Sequence, residues 1–480
     1  MSHSTREDRR NFIKALGALC AGGAAYALLP QLEMVGRALA ADPGPDDYRA
    51  LVCIFLFGGN DSFNMLIPYE QAEYDAYSTC RGGTYDASAN PTGLGYAREE
   101  LLQITDTGSR RWGLNPRCGG LKTLFDERNL SFLANIGTLA VPVTKAEVRA
   151  RSKLLPAYLY SHNDQQRQWM TGTSFRAMSS GWGGRVGDRL HAFNTVMPAL
   201  PPGISLGGNN LFQLGASTMP FSVSSNGPAR VERFNRESDN ASRIRAKAME
   251  DILARSYTPL LTDRYGLISE TALELNLALR GALASEGTLE TGFPADNPLA
   301  AQLRMIARLI KVSRGSSIGH KRQIFFASMG GFDTHQNQMA ANGHGLLLQR
   351  LGEATLAFRD ALREIGALNE VVTFSMSDFG RTLNTNGNGT DHGWGGVQFV
   401  MGGAASAGGP VNGGQVFGTY PLLELDGPQA MGRGQMIPTT SVTQLGATLA
   451  RWMGVSSGDL QAIFPGLGNF DTPLLPVLAG

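Results

Sequence analysis

Acidic residues, two of them with a histidine close by, lie where apolar segments of the chain end. They are Asp61, Asp378, Asp333 with His335, and Asp391 with His392. Carboxylates and imidazoles that follow buried strands are how an open α/β sheet collects metal ligands at one edge. The pattern therefore predicts a metal-dependent enzyme rather than a binding scaffold.

The predicted ligand set combines carboxylates with imidazoles. Asp333 and His335 are two residues apart, so on extended backbone both side chains project the same way and can meet one ion. Such mixed ligation suits Zn²⁺ or Mn²⁺, whereas an all-oxygen subset suits Ca²⁺ or Mg²⁺, and the identity of the divalent ion stays open. The residues that we predict to bind the metal are Asp61, Asp333, His335, Asp378 and His392.

A second polar centre begins at Ser161 and His162. Ser161 is a candidate nucleophile beside His162 as a charge stabiliser. The same residues are equally consistent with a helix start capped by Ser161 or Asn163. Arg381 is a candidate for gripping an anionic substrate group, with a structural ion pair as the alternative. The candidate catalytic residues are therefore Ser161, His162 and Arg381.

Five apolar runs predict buried strands that position these residues. They lie at 51–57, 130–136, 323–329, 371–376 and 398–401. Between the third and fourth runs, apolar residues recur at helical spacing over 347–365, with Gly366 as the stop. This strand-helix-strand unit implies parallel strands joined by a right-handed crossover. His344 lies at the start of that helix, where capping, or support of a metal ligand from behind, is favoured over metal ligation.

Other segments have distinct compositions. Residues 171–235 are rich in Gly, Ser, Asn and Pro and predict an irregular, partly β insertion, whereas 240–313 predicts a helical one. Eleven glycines between 387 and 414 predict loops wrapped over the strand ends. Residues His191 and His320 lie in polar context and are predicted at the surface.

Residues 1–40 predict an export signal rather than part of the fold. Paired arginines at Arg9 and Arg10 precede an apolar stretch, and small residues at Ala38 and Ala40 provide a cleavage site before Ala41. The arginine pair is typical of the twin-arginine pathway. An uncleaved anchor is disfavoured because a span needs about 20 apolar residues. We therefore expect a periplasmic or otherwise exported protein without a stable membrane span after cleavage.

Charge and cysteine content exclude several functions. The chain has 42 basic and 41 acidic residues, and cleavage removes five and three of them, leaving 37 and 38. Near neutrality argues against nucleic acid as a partner. The cysteines lack C-x-x-C spacing, which disfavours cysteine-bound zinc and dithiol redox chemistry. Cys80 and Cys118 lie in Gly-rich loop sequence, and whether they form a disulfide stays open.

Three motifs carry a family resemblance. Segments 330–335 (GGFDTH), 377–382 (SDFGRT) and 389–393 (GTDHG), with 57–61 (FGGND) and the leader, resemble the domain-of-unknown-function 1501 family of exported bacterial proteins. The resemblance spans about 51–453. That family in turn resembles the alkaline phosphatase and sulfatase superfamily, whose parallel sheet gathers metal ligands at its carboxyl edge.

The resemblance implies roles for individual residues. Asp61 would match the superfamily's first-strand aspartate, and Ser161 falls where a later hydroxyl or modified cysteine acts as nucleophile. The later ligand positions would be matched by Asp333, His335, Asp378 and His392. Phe379 stands where the superfamily often has His or Asn, so a one-metal or degenerate site remains an alternative to a two-metal site.

Together these features predict an α/β fold with a mostly parallel central sheet flanked by helices, alkaline phosphatase-like, over residues 41–480. The predicted function is metal-dependent hydrolysis of phosphate or sulfate esters, with a small anionic or polymeric substrate. The alternative is a non-catalytic periplasmic or envelope binding protein with a degenerate phosphatase-like site. The twin-arginine export machinery is the other expected partner.

Overall fold

The structure is a computed structural model that describes residues 47–229, 240–255 and 259–479. The predicted export signal at 1–40 lies outside these residues, as do the last residues of the predicted insertion at 171–235. No helix in the described ranges is both long and apolar enough to cross a membrane.

Fourteen strands are present in the described residues. They are β1 (Arg49–Leu56), β2 (Leu66–Pro68), β3 (Leu102–Thr105), β4 (Arg111–Leu114), β5 (Leu130–Gly137), β6 (Gly203–Ser205), β7 (Phe221–Ser222), β8 (Arg322–Met329), β9 (Val371–Ser377), β10 (Gly396–Met401), β11 (Val416–Phe417), β12 (Ala430–Met431), β13 (Gln435–Met436) and β14 (Thr440–Ser441). All five predicted strands are among them.

Eleven α-helices accompany the strands in the same described part of the chain. They are α1 (Gln71–Cys80), α2 (Gly119–Asp126), α3 (Lys145–Ala150), α4 (His162–Thr171), α5 (Trp182–Leu190), α6 (Asn240–Leu253), α7 (Leu260–Ser285), α8 (Pro298–Ser313), α9 (His344–Glu364), α10 (Val442–Trp452) and α11 (Ser457–Ile463). Helix α9 is the predicted crossover helix between β8 and β9.

Nine strands form one mostly parallel sheet, which confirms the predicted fold class. The order is β11-β5-β10-β9-β1-β8-β6-β7, with β14 beside β5. Strand β10 runs antiparallel to both of its neighbours, β5 and β9. Strands β6 and β7, from the Gly-rich segment, extend the sheet beyond β8 instead of forming a separate layer.

Both faces of the sheet are buried, as continuously apolar strands require. Alternate residues of β1 enter different cores: Val52 and Ile54 pack with α2, α8 and α9, whereas Cys53 and Phe55 pack with α4, α5 and α10. The strand is therefore held between two helical layers. Its ends are the places where polar groups reach solvent.

The topology brings the chemical motifs to one edge. In β1, Leu56 pairs with Met329 of β8 and with Ser377 of β9, so these three parallel strands end together. Because β10 is antiparallel, the residues that precede it reach the same edge. This explains how the segment before Gly396 meets segments that follow the other strands.

Two predictions about single residues differ from the structure. Cys80 and Cys118 are free buried thiols, and Cys80 ends helix α1 rather than lying in a loop. His320, which we expected at the surface, is 1% exposed. It follows α8 and turns inward, with its Nε2 at 3.4 Å from the carbonyl of Met197.

Candidate metal and active site

The site is centred on the carboxylate of Asp333, just beyond β8. Its side chain is about half exposed, at 46%, so the site opens to solvent. Three nitrogens surround Asp333 Oδ1: Arg381 Nη1 at 2.7 Å, His335 Nε2 at 3.1 Å and His392 Nε2 at 3.4 Å. His162 Nε2 lies 3.6 Å from the other oxygen, Oδ2. Three imidazoles thus face one carboxylate.

Each of these imidazoles is oriented through its other nitrogen. The Nδ1 contacts are 2.5 Å from His162 to Asp378 Oδ2, 2.9 Å from His335 to Asp391 Oδ1, and 2.7 Å from His392 to the carbonyl of Tyr160. Carbonyls and carboxylates only accept, so in each contact Nδ1 donates. In the neutral rings, every Nε2 therefore carries a lone pair. Second contacts of this kind are typical of metal-binding histidines.

The donor set fits a cation. His335 Nε2 lies 2.9 Å from His392 Nε2, where two lone pairs would repel each other unless a positive charge lies between them. One atom each from His162, Asp333 and His392 falls within 4.8 Å of the others. In addition, the buried Oδ1 of Asp378 has no hydrogen-bond partner among the described residues. Imidazole and carboxylate together suit Zn²⁺ or Mn²⁺.

The local electrostatics are set by burial and by ion pairs. Burial raises the pKa of Asp333, but the hydrogen bond and charge of Arg381 outweigh it, so the net shift is downward. The pKa of His162 is raised, chiefly by its hydrogen bond to Asp378. Burial lowers the pKa of His392. Without a metal, His162 therefore holds a proton more readily than His392 does.

Arg381 is fully buried beneath Asp333. Besides Asp333, its guanidinium donates to the carbonyl of Gly58 at 3.1 Å, to Thr390 Oγ1 at 3.2 Å and to the Thr390 carbonyl. These contacts hold the two ends of the connection between β9 and β10 together. Arg381, the candidate for binding an anionic substrate group, thus uses most of its hydrogen-bond donors within the protein.

Asp61 lies deeper than the histidines. One oxygen accepts from Arg81 Nη2 at 2.6 Å and the other from Gln338 Nε2 at 2.6 Å, all in a fully buried setting. Gln338 in turn accepts from Thr390 at 2.7 Å, which connects Asp61 to Arg381. Asp61 therefore supports the base of the site, and its role as a metal ligand stays a prediction.

Asp378 faces the site from the end of β9. Its Oδ2 accepts from His162, from Gln166 Nε2 at 2.9 Å and from the Gly58 amide at 3.2 Å. Phe379 follows it and packs against the rings of His162 and His392, with centroids 4.8 and 4.7 Å away. Phe379 thus supports two imidazoles.

Ser161 occupies the N-cap position of helix α4, but its hydroxyl does not cap the helix. Instead Ser161 Oγ donates to Asp164 Oδ2 at 2.6 Å. The next residue, His162, points into the site. Ser161 is therefore adjacent to the cluster in sequence, and its hydroxyl is paired with a carboxylate.

Two glycines allow the loops to pack this closely. Gly58 has φ +115°, and a Cβ there would lie 2.3 Å from the Asp333 amide nitrogen. At Gly389, a Cβ would lie 2.2 Å from the carbonyl of Thr334. No side chain fits at either position without moving backbone. The loop after β8 is consequently packed directly against the loop after β1 and against the connection between β9 and β10.

The structure thus brings Asp333, His335 and His392 together, as predicted from the sequence, and adds His162. It also recruits groups that sequence reasoning missed. These are the carbonyl of Tyr160 and the side chains of Arg81, Gln338 and Asp391's partner Arg433. Tyr160 directly precedes Ser161, and Gln338 lies three residues after His335, so both adjoin predicted site residues. Their residue types gave no signal, because Tyr160 acts through its backbone and Gln338 and Arg81 act from behind the site.

Comparison with known proteins gives a family and remote structural similarities. The model of the family "Protein of unknown function (DUF1501)" matches residues 48–468. No curated protein matches the chain.

Several solved structures are similar at low identity. A sulfatase from Pseudoalteromonas sp. is 11% identical, with 89% of this chain and 72% of that chain covered and a TM-score of 0.33. A 2-O GAG sulfatase is 11% identical, with 85% of this chain and 71% of that chain covered and a TM-score of 0.28. The phosphonate monoester hydrolase of Agrobacterium radiobacter is 10% identical, with 85% of this chain and 74% of that chain covered and a TM-score of 0.31. At TM-scores this low, any inference about chemistry rests on the site itself.

Proposed function

The chain belongs to the DUF1501 family, and we propose that it is an exported metal-dependent hydrolase of phosphate or sulfate esters. The observation that carries the proposal is the convergence of three oriented imidazoles on Asp333. The residues that would hold the ion are His162, His335, His392 and Asp333. Asp378, Asp391 and the Tyr160 carbonyl would keep the imidazoles in the metal-binding tautomer.

A divalent ion held there would supply a Lewis acid beside the ester. The protein's own groups prepare the rest. Arg381 places a buried positive charge under Asp333 and offsets the charge of that carboxylate. Asp378 fixes the ring of His162, which is half-buried at the mouth of the site. Phe379 keeps water from one side of both rings. An anionic ester is therefore met by a positively charged, partly dry surface.

The attacking group is proposed to be Ser161 or a water molecule. Ser161 precedes His162 directly, and its hydroxyl proton is already directed to Asp164. Replacing Ser161 by alanine separates the two cases. Turnover lost in Ser161→Ala assigns the hydroxyl as nucleophile, whereas retained turnover assigns water.

A non-catalytic binding protein is the second candidate. The observation in its favour is that Arg381 and Asp61 already have their main contacts within the protein. In that case the metal site would hold an anionic ligand without cleaving it. Metal content would then be normal while no ester is hydrolysed.

The deciding experiment combines elemental analysis with a substrate panel. Purified protein is assayed for Zn, Mn, Ca and Mg and tested on aryl phosphate, phosphodiester and aryl sulfate. We expect about one bound ion per chain and turnover that Asp333→Asn abolishes. Asp296→Asn, which removes an exposed carboxylate elsewhere, is the control. Absence of metal from the wild-type protein would end the proposal, and metal without turnover on any substrate would favour the binding protein.

Export is a further part of the proposal, supported by Arg9 and Arg10 ahead of an apolar stretch. Changing both arginines to lysine keeps the charge. We expect this change to stop processing and leave the protein in the cytoplasm, as seen by fractionation. Unchanged export would contradict the twin-arginine assignment.

A further inference from the structure

A pocket of about 590 Å³ lies beside the candidate site. Its lining combines three exposed basic residues, Arg149, Arg151 and Lys153, with apolar side chains such as Leu159 and Met431. The volume falls in the range of small-molecule sites. The pocket contains none of the residues assigned above to the metal.

Both walls of the pocket touch the site. One wall ends at Tyr160, which lines the pocket and whose carbonyl accepts from His392 Nδ1. The other wall is the hairpin of β12 and β13, in which Met431 lines the pocket. Two residues later, Arg433 pairs with Asp391, which orients His335. The pocket is therefore built from the two segments that hold two of the three imidazoles.

The charge of this region differs from that of the chain as a whole. Segment 145–153 contains four basic residues and one acidic residue, whereas the entire chain has a net charge of +1. The acidic residue, Glu147, pairs with Lys153 at 3.0 Å. Within the part of the chain that the structure describes, the side chains of Arg149 and Arg151 form no ion pair. Two guanidinium groups are thus available to an anion.

The backbone between the basic residues and the site is unusual. Of seven described non-glycine residues with positive φ, three lie within 151–160: Arg151 at 49°, Tyr158 at 50° and Tyr160 at 72°. Such conformations cost energy and persist where the surrounding structure fixes them. Here Leu155, Leu159 and Tyr160 pack around buried Trp394, two residues from His392. The segment is held in place against the site.

We propose that this pocket binds a second sulfate or phosphate group of the substrate. The inference rests on the proposed hydrolase function and names its substrate class: an ester carrying at least two anionic groups, joined by a moiety with an apolar face, such as a sulfated or phosphorylated oligosaccharide. One group is at the metal site while the other pairs with Arg149 and Arg151. The apolar wall accommodates the connecting part.

Binding is measured first, because it does not depend on turnover. Sucrose octasulfate and inositol hexakisphosphate serve as probes in calorimetric titrations at fixed ionic strength. We expect Arg149→Gln/Arg151→Asn to weaken binding at least tenfold; asparagine tolerates the positive φ of residue 151. The control Arg243→Gln/Arg245→Gln removes the same charge from helix α6 and leaves binding unchanged. The two probes test sulfate and phosphate groups in turn.

Several results would overturn the inference. They are no binding of either probe to the wild-type protein, equal weakening in the control, or no weakening in the pocket variant. Titrating the Asp333→Asn protein separates the two proposals, since pocket binding should persist when the metal site is disabled. If the pocket variant does not fold, wild-type crystals soaked with the bound probe replace it, and density away from Arg149 and Arg151 would refute the site.

For turnover, the pocket variant should raise KM for a polyanionic ester at least tenfold and leave kcat/KM for a simple aryl ester unchanged. Equal losses on both substrates would contradict a pocket that recognises a second anion.

Discussion

Each imidazole of the candidate site is fixed by a different acceptor: Asp378, Asp391 or the carbonyl of Tyr160. An ordinary polar cluster would satisfy both nitrogens of its rings. Here the Nε2 atoms face one another and Asp333, an arrangement that needs either an additional proton on the rings or a metal ion between them. The single-residue contacts therefore argue for a metal more strongly than the number of acidic residues does.

The contact between Asp391 and His335 gives the first prediction. Asp391→Ala removes the acceptor that fixes the His335 tautomer, so we expect metal affinity to fall about 10- to 100-fold. Competition with a chromogenic chelator measures the change. Asp426→Ala, an exposed carboxylate, is the control. Unchanged affinity in Asp391→Ala would show that His335 does not bind the ion.

A second prediction concerns the buried ion pair of Asp61 and Arg81. Arg81→Met leaves the Asp61 carboxylate buried beside Gln338 without its cation, so we expect a loss of roughly 3–5 kcal/mol in the free energy of unfolding. Urea denaturation measures it. The exposed pair of Arg111 and Glu70 provides the comparison, because solvent screens it and Arg111→Met should cost far less stability than Arg81→Met. Similar losses in both variants would contradict the structural role of Asp61.

At this scale the sequence predicted which residue types do the chemistry but only part of how they pair. Asp333 and His335 were predictable because their spacing aligns both side chains. The pairing of Asp61 with Arg81 was not predictable. The sequence does not show that helix α1, which ends just before Arg81, returns to the end of β1. His162 was assigned to charge stabilisation, whereas its ring lies with the metal-ligand candidates.

Among the elements, the five apolar runs were enough to predict the five central strands of the sheet, β5, β10, β9, β1 and β8, since strands buried on both faces are predominantly apolar. The shorter strands carry no such signal. The directions of the five central strands were less accessible. An apolar run has no direction of its own, and the antiparallel course of β10 depends on a glycine-rich path from β9. That course is what brings His392, which precedes its strand, to residues that follow theirs.

Close packing of the loop after β1 against the loop after β8 gives a third prediction. Gly58→Ala places a Cβ against the Asp333 backbone and strains a positive φ, so we expect a loss of roughly 2 kcal/mol or more and reduced metal binding. Gly330→Ala is the matched control, because a Cβ there meets no atom within 4 Å and φ is not positive. Thermal unfolding with metal analysis distinguishes the two. A Gly58→Ala protein as stable as Gly330→Ala would refute the packing argument.

Across the whole molecule, stability depends on polar groups buried away from the site as well as on the two cores. His320 and His344 are both at most 1% exposed, and burial lowers the pKa of each to about 4. Polar neighbours in the sequence concealed this for His320, because the turn after α8 directs the ring inward against Met197. Sequence context indicates the solvent exposure of a segment better than that of one side chain.

These two histidines predict acid sensitivity above the range in which carboxylates titrate. Between about pH 6.5 and 4 the unfolded chain binds a proton on each ring and the folded chain does not. The free energy of unfolding therefore falls as pH decreases through this window, by up to roughly 3 kcal/mol per histidine. Urea denaturation at pH 7, 6 and 5 measures the slope. His320→Gln keeps a polar side chain that cannot titrate, so it should lower stability at pH 7 slightly and reduce the slope between pH 7 and 5. A slope identical to that of the wild-type protein would mean that the pKa of His320 is not lowered in the folded state. The inward position of its ring would then be wrong.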